Sequence, residues 1–283
     1  MRLRPLAFAE INGCRPDFLD VAFSRGFEGR DFTGLGKRDV LHLAFAGGYP
    51  EARELSAADR RDWFKIYLDD LLEKDIQDIT EIRKVETLRK VATSLFAHSA
   101  QFIAVNELSA KVELAKVTLQ NYIAALKALY LFDSVPAWAK SDYELIGKRD
   151  KFLATDSALV ANILGWNEDD AYIDANKSGK LVETWVYNQL ASVAETSSDF
   201  SIGHYRDSCK REIDFIVERT DGAMLGIEVK AGSSLGDGDF KHLKWFAKNL
   251  AKDEFTGIVL YSGEHTLRFG EGFYAVPLAA LGA

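Results

Sequence analysis

Apolar residues recur at spacings of three and four through much of the first half of the chain, and alternate closely in the last third. That change of period predicts a helical region followed by a sheet-bearing one. From Ser56 to about His98, "SAADRRDWFKIYLDDLLEKDIQDI" and "KVETLRKVATSLFAHSA" read as two helices. Trp63, Ile66, Tyr67, Leu71 and Leu72 form the expected apolar stripe of the first, a stripe built for core packing. Ser56, with Asp59 three positions on, supplies an acidic variant of the capping box.

The next segment, "FIAVNELSAKVELAKVTLQNYIAALKALYLFDSVPAWAK", predicts a short helix from Asn106, a tight turn at Leu114 to Lys116, and a longer helix from Thr118 to Leu129. An extended "YLFDSVPAW" and a charged hairpin, "KSDYELIGKRDKFLAT", follow. This order describes a winged helix-turn-helix. In a DNA reader the second helix would offer Lys116, Thr118, Gln120 and Asn121 to the major groove. In the alternative it packs against protein, and the nine Lys/Arg against seven Asp/Glu between residues 85 and 155 make no basic stripe.

After "DSALVANILGW" and the acidic "NEDDAYID", the stretch "SGKLVETWVYNQLASVAE" predicts an amphipathic helix that buries Leu181, Trp185, Val186 and Leu190. Three strands follow: "DFSIGHYR", "REIDFIVER" and "LGIEVKAG", the last two joined by an Asp221-Gly222 hairpin turn. A helix in "DFKHLKWFAKNLAKD", a buried strand in "TGIVLYSG" and a final hairpin at "FYAVPLAALGA" complete the pattern. Near the start, "SRGFEGRDFTGLGKRD" fails as a phosphate-cradling loop at both ends. Arg38 follows Gly36-Lys37 where Ser or Thr is needed, and Asp31 holds the first glycine position, so a surface loop is expected.

Composition narrows the classes. The 283 residues suffice for about two domains at roughly 100–200 residues each. No run approaches the roughly 20 apolar residues of a membrane span, so no membrane partner is expected. The opening "MRLRPLAFAEING" turns acidic too soon for a signal peptide. Cys14 and Cys209 lie far apart, match no zinc or redox spacing, and fit free thiols of a reduced cytoplasm. The net charge of −8 gives no bulk nucleic-acid signal, so contact with DNA or RNA must be local or made through metal ions.

The chemistry lies in the strands, where Asp214, Glu228 and Lys230 interrupt apolar runs. Glu228 and Lys230 point to one side of their strand, Ile227 and Val229 to the other. An ionised cluster in a covered sheet is costly unless it is paired or holds a metal. A salt-bridged strand is one solution. The other follows from the surplus of carboxylates, enlarged by Glu183 on the preceding helix: converging oxygens suit Mg²⁺ or Mn²⁺. Asp214 and Glu228, with the Val229 carbonyl as third ligand, would hold the ion. Lys230 would orient the attacking water and offset charge on a phosphate.

This arrangement resembles the restriction-endonuclease-like fold of the PD-(D/E)XK nucleases. Their core runs αβββαβ, and their acid followed by Glu-X-Lys is matched by Asp214 and by Glu228-Val229-Lys230; Ile213 stands where the naming proline would be. Glu183 matches the helix acid of archaeal Holliday-junction resolvases. The resemblance implies that Glu183, Asp214, Glu228 and Lys230 are catalytic. A longer resemblance runs through "RLRPLAFAEI", "AFAGGYPEA", "YLDDLLEKDI", "GKLVETWVYNQL", "REIDFIVE", "GIEVKAG", "DFKHLKWF" and "GIVLYSGE". These blocks look like the C-terminal region of prokaryotic AAA-type ATPases, where a winged-helix and nuclease-like domain of unknown function follows the ATPase. It implies an α/β chain divided into a remnant of the ATPase or its lid (1–55), a helical and winged-helix region (56–165) and a nuclease-like domain (166–283). Neither Walker motif is present, so ATP is not expected to bind. The functional expectation is a metal-dependent nuclease on DNA or RNA. The alternative is a non-catalytic interaction or nucleic-acid-binding module, paired with itself or with an intact ATPase homologue.

Overall fold

The computed structural model describes residues 2–32, 35–75, 85–140, 149–251 and 254–283. In the first 55 positions it shows short helices α1 (Phe8–Ile11), α2 (Phe18–Phe23), α3 (Lys37–Ala46) and α4 (Pro50–Arg53). The surface loop expected around Gly36 is thus corrected to a helix start. Asp39 accepts the Gly36 N–H at 2.9 Å, which caps a donor that would otherwise be orphaned.

Helix α5 (Ala57–Asp70) begins at Ser56 as its sequence predicts: the Ser56 hydroxyl accepts the Asp59 N–H at 3.3 Å and donates to the Asp59 carboxylate at 2.6 Å. Its buried face overlaps the expected stripe, of which Leu72 is buried and Trp63, Tyr67 and Leu71 pack against the core. Phe64, Leu68 and Leu72 are buried, whereas Ile66 is 63% exposed. Arg60 belongs to that inner face, fixed by donating to the carbonyls of Ala52 and Leu55, both at 3.0 Å. Trp63 and Tyr67 stack on each other at its edge. A π-helical turn, Leu71–Asp75, continues α5.

Helix α6 (Val85–Ala97) precedes β1 (Gln101–Phe102), α7 (Val105–Lys111), α8 (Lys116–Ala128), β2 (Phe132–Val135) and β3 (Lys151–Ala154). The three strands form an antiparallel sheet in the order β1-β3-β2, with Val135 opposite Lys151. Helix α8 turns Leu119, Tyr122, Ile123 and Leu126 inward. The tip of the charged hairpin, residues 141–148, lies outside the described residues.

Helices α9 (Ser157–Ile163) and α10 (Glu168–Ile173) lead to α11 (Ala175–Thr196), which buries Leu181, Trp185, Val186 and Leu190 as predicted. Asp174 caps α11 by accepting the N–H groups of Asn176 and Lys177. Beyond it come β4 (Phe200–Arg206), β5 (Glu212–Arg219), β6 (Met224–Lys230), α12 (Lys241–Asn249), β7 (Phe255–Tyr261), β8 (Leu267–Gly270) and β9 (Phe273–Pro277). The closing segment is one strand, β9, which pairs with β8; "LAALG" after it forms a 3₁₀ turn rather than a second arm.

The six strands make one mixed sheet, ordered β4-β5-β6-β7-β9-β8. Strands β5 and β6 form the Asp221-Gly222 hairpin, with Gly222 at φ +90°, and β6 runs parallel to β7. Both faces are covered. Phe215, Val217, Leu225 and Ile227 join a core that draws on residues from Phe18 to Leu281, including α11. Ile216, Met224 and Val259 pack with Leu243 and Phe246 of α12 in a second core. The segment after β2 borders the outer edge of β4: Trp138 donates to the His204 carbonyl at 2.6 Å, and His204 to that of Pro136 at 2.9 Å. This contact sets the small sheet against the large one and brings β3 to the end of β5.

Candidate functional site

The ladder between β4 and β5 breaks at one point. Gly203 faces Ile216 and Tyr205 faces Ile213, so His204 alone opposes both Asp214 and Phe215. This β-bulge sends two successive side chains toward α11, instead of alternating them. Phe215 stacks on Tyr187 of that helix, and Asp214 reaches the charged cluster beside Glu183. The β5–β6 register ends at Phe215–Ile227, just short of Asp214. There the Asp214 carboxylate replaces a strand neighbour by accepting the Val229 N–H at 2.9 Å.

At the centre of the cluster is Lys151, the first residue of β3, with a side chain only 1% exposed. Its ammonium lies 3.1 Å from Asp214 Oδ1 and 3.5 Å from Glu212 Oε1, and it also pairs with Glu183 Oε1. Burial would lower its pKa, yet Glu183, Asp214 and Glu212 hold it above the usual lysine range. Asp214 therefore pairs with Lys151 rather than with Lys230 on its own sheet. Lys230 turns to Asp239, 3.4 Å away.

Glu183 is pushed up to about 8 by its burial and by the Asp214 charge, against the pull of Lys151. The Glu228 side chain is half-buried and has no hydrogen-bond or ion-pair partner among the described residues. Burial, and next the Asp214 charge, raise it well above the usual carboxylate range, with Lys230 and Lys151 opposing. Glu183, Asp214, Glu228 and Lys230 thus share one electrostatic neighbourhood, together with two residues that pattern reasoning missed. Lys151 had a signal. It stands two positions before Leu153, in phase with a buried strand position, where a lysine requires carboxylates. Glu212 had none, because strand ends carry charge routinely.

Among the described residues, no three His, Cys, Asp or Glu side chains are arranged to hold a metal ion between them. Asp214 and Glu228 leave two side-chain carboxylates for that role. Each Asp214 oxygen already accepts one hydrogen bond, from Lys151 or from Val229, and keeps a second lone pair. Two carboxylates fit Mg²⁺, which takes its remaining ligands from water and substrate phosphate. They would make a weak site for the ion alone.

On α8, Lys116, Gln120 and Asn121 are exposed and Thr118 is half-buried, so the four lie on a solvent-facing surface. Cys14 and Cys209 are exposed free thiols. Among the described residues no helix is long and apolar enough to cross a membrane.

Two family models match the chain. A domain of unknown function, DUF8612, matches residues 37–170, and a second, DUF4143, matches residues 178–281. The second is typical of C-terminal regions associated with AAA-type ATPases. The chain is 25% identical to uncharacterized proteins of Mycobacterium bovis and Mycobacterium tuberculosis over 287 aligned positions, 96% of its own length. It spans 62% of the length of each of these relatives. No solved structure matches.

Proposed function

We propose that the chain is a metal-dependent nuclease-like module acting on DNA or RNA, a restriction-endonuclease-like αβββαβ unit behind a winged-helix region. The observation that carries this reading is the unpartnered, half-buried Glu228 beside the paired Asp214 and Glu183. A carboxylate at that depth needs either a proton or a cation. The order α11, three strands, α12, β7 supports the same reading, as does the bulge that re-aims Asp214.

In this account Asp214 and Glu228 hold Mg²⁺ or Mn²⁺, with the Val229 carbonyl as third ligand. When bound, the ion polarises a phosphodiester and acidifies its own water. Lys230, whose side chain is 42% exposed, stands ready to offset charge on the phosphate. Lys151 and Glu183 position Asp214. The test is cleavage of end-labelled single- and double-stranded DNA and RNA with Mg²⁺ or Mn²⁺, by wild type, Glu228→Gln and Lys230→Met. Metal-dependent cleavage lost in both variants supports the reading; cleavage that persists in both, or no cleavage of any substrate, contradicts it.

One observation favours a second reading. Lys151 already satisfies much of the carboxylate charge, as in a cluster that only stabilises a fold. The chain would then be a non-catalytic interaction module of an ATPase homologue, binding a second copy or an intact relative.

A further inference from the structure

We infer that the cleft between β1 and β4 seats a single strand of nucleic acid and guides it toward the acidic cluster. The inference rests on the nuclease reading for its direction, but not for the binding itself.

Two adjoining cavities form this cleft, one of about 240 Å³ and one of about 370 Å³. They share Phe102 and Arg206 as walls. Arg149 and His204 line the first, and Glu212, which pairs with Lys151, lines the second. The cleft therefore ends on a member of the charged cluster. Its cavities approach the size of pockets for small ligands, roughly 300–1,000 Å³, which suits single nucleotides better than the breadth of a duplex.

Its chemistry suits a phosphodiester strand. Arg149 is exposed and its guanidinium has no ion-pair partner among the described residues. Its carbonyl accepts from His204 Nε2 at 3.0 Å, which anchors its backbone against β4. Arg206 lies over the Phe102 ring at 4.5 Å and meets Glu212 only at 3.8 Å, so its outer face is left for a phosphate or a base. The other acid of the wall, Asp207, is held by the Arg211 guanidinium at 2.6 Å and by the N–H groups of Cys209 and Arg211. Cations beside an aromatic surface, in cavities of single-nucleotide size, are the means by which single strands are bound without sequence preference.

The test is fluorescence anisotropy of a labelled oligothymidylate in EDTA across a salt series, with the matching duplex as competitor. EDTA removes cleavage from the readout. Wild type should bind the single strand more tightly than the duplex. Arg149→Ala with Arg206→Ala should flatten the slope of log affinity against log salt by about 1.4, at about 0.7 per phosphate of a single strand. Arg149→Lys with Arg206→Lys should keep the slope. Should the double alanine variant fail to fold, the exposed Arg149→Ala alone should flatten the slope by about 0.7. An unchanged slope, or tighter binding of the duplex, overturns the inference. If cleavage occurs with an unchanged slope, only the cleft is wrong. If the slope changes and no condition gives cleavage, the cleft stands and the nuclease reading falls.

Discussion

Lys151 Nζ lies 3.1 Å from Asp214 Oδ1, and this contact joins the central strand of the small sheet to the bulged strand of the large one. The two residues are 63 positions apart. Removing one partner of a buried ion pair strands the other at a cost of about 3–5 kcal/mol. Lys151→Met should therefore lower the urea midpoint strongly. Adding Asp214→Asn to it should recover part of the loss, since one stranded charge is then gone. Equal midpoints for wild type and Lys151→Met would show that the pair carries no stability.

The turn at Gly47 predicts a contrast between two glycines of positive φ. Gly47 has φ +66° and Gly165 has φ +65°. A Cβ at Gly47 would collide with the Asp156 carboxylate and the Ala158 methyl, whereas one at Gly165 meets nothing within 4 Å. Gly165→Ala should cost only the left-handed backbone penalty, about 1–2 kcal/mol. Gly47→Ala should cost clearly more. Equal losses in thermal unfolding would mean that the turn yields without effect on Asp156.

Asp156 itself predicts a pH dependence. Its carboxylate accepts the N–H groups of Gly48 and Ala158, both at 2.7 Å, yet burial pushes it up to about 6. A carboxyl raised in the folded state keeps its proton there while the unfolded chain has lost it. Its contribution to stability is therefore greatest below pH 4 and declines as pH rises through 6. Other carboxylates add slopes of their own, so the quantity to measure is the difference in unfolding free energy between wild type and Asp156→Asn. That difference should shift against wild type between pH 4 and 6 and level off above. A difference flat across this range would contradict the assignment.

Much of the fold was legible because local patterns decided it. Ser56 with Asp59, the Asp221-Gly222 hairpin and the Leu181–Leu190 face each depend on neighbours in sequence. The inner face of α5 was legible only in part, because Arg60 joins it through carbonyls of the preceding segment and Ile66 faces out. At the site, Asp214, Glu228, Lys230 and Glu183 stood out as charges in apolar elements. The bulge that turns Asp214, and the Lys151 that meets it, arise from pairing across two sheets, which no local period encodes.

ATP should not bind. The Gly36 N–H that a phosphate would seek already donates to Asp39, and the Lys37 ammonium donates to the Tyr172 carbonyl at 2.7 Å. Calorimetry with Mg-ATP should give no saturable heat at protein concentrations of about 100 µM. A micromolar isotherm would contradict this.

The central claim is that the Asp214–Glu228 pair takes up a divalent cation, and its most direct test is thermal unfolding across a Mn²⁺ titration. A ligand bound only by the native state adds RT ln(1 + [L]/Kd), about 2.7 kcal/mol at a hundredfold excess over Kd. Wild type should gain melting temperature with Mn²⁺, and more so when an oligonucleotide supplies phosphate ligands. Glu228→Gln, which removes a side-chain carboxyl without a partner, should be no less stable than wild type in EDTA and should lose most of the gain. A wild type indifferent to Mn²⁺ with and without nucleic acid would contradict the account and leave an ion-paired cluster centred on Lys151.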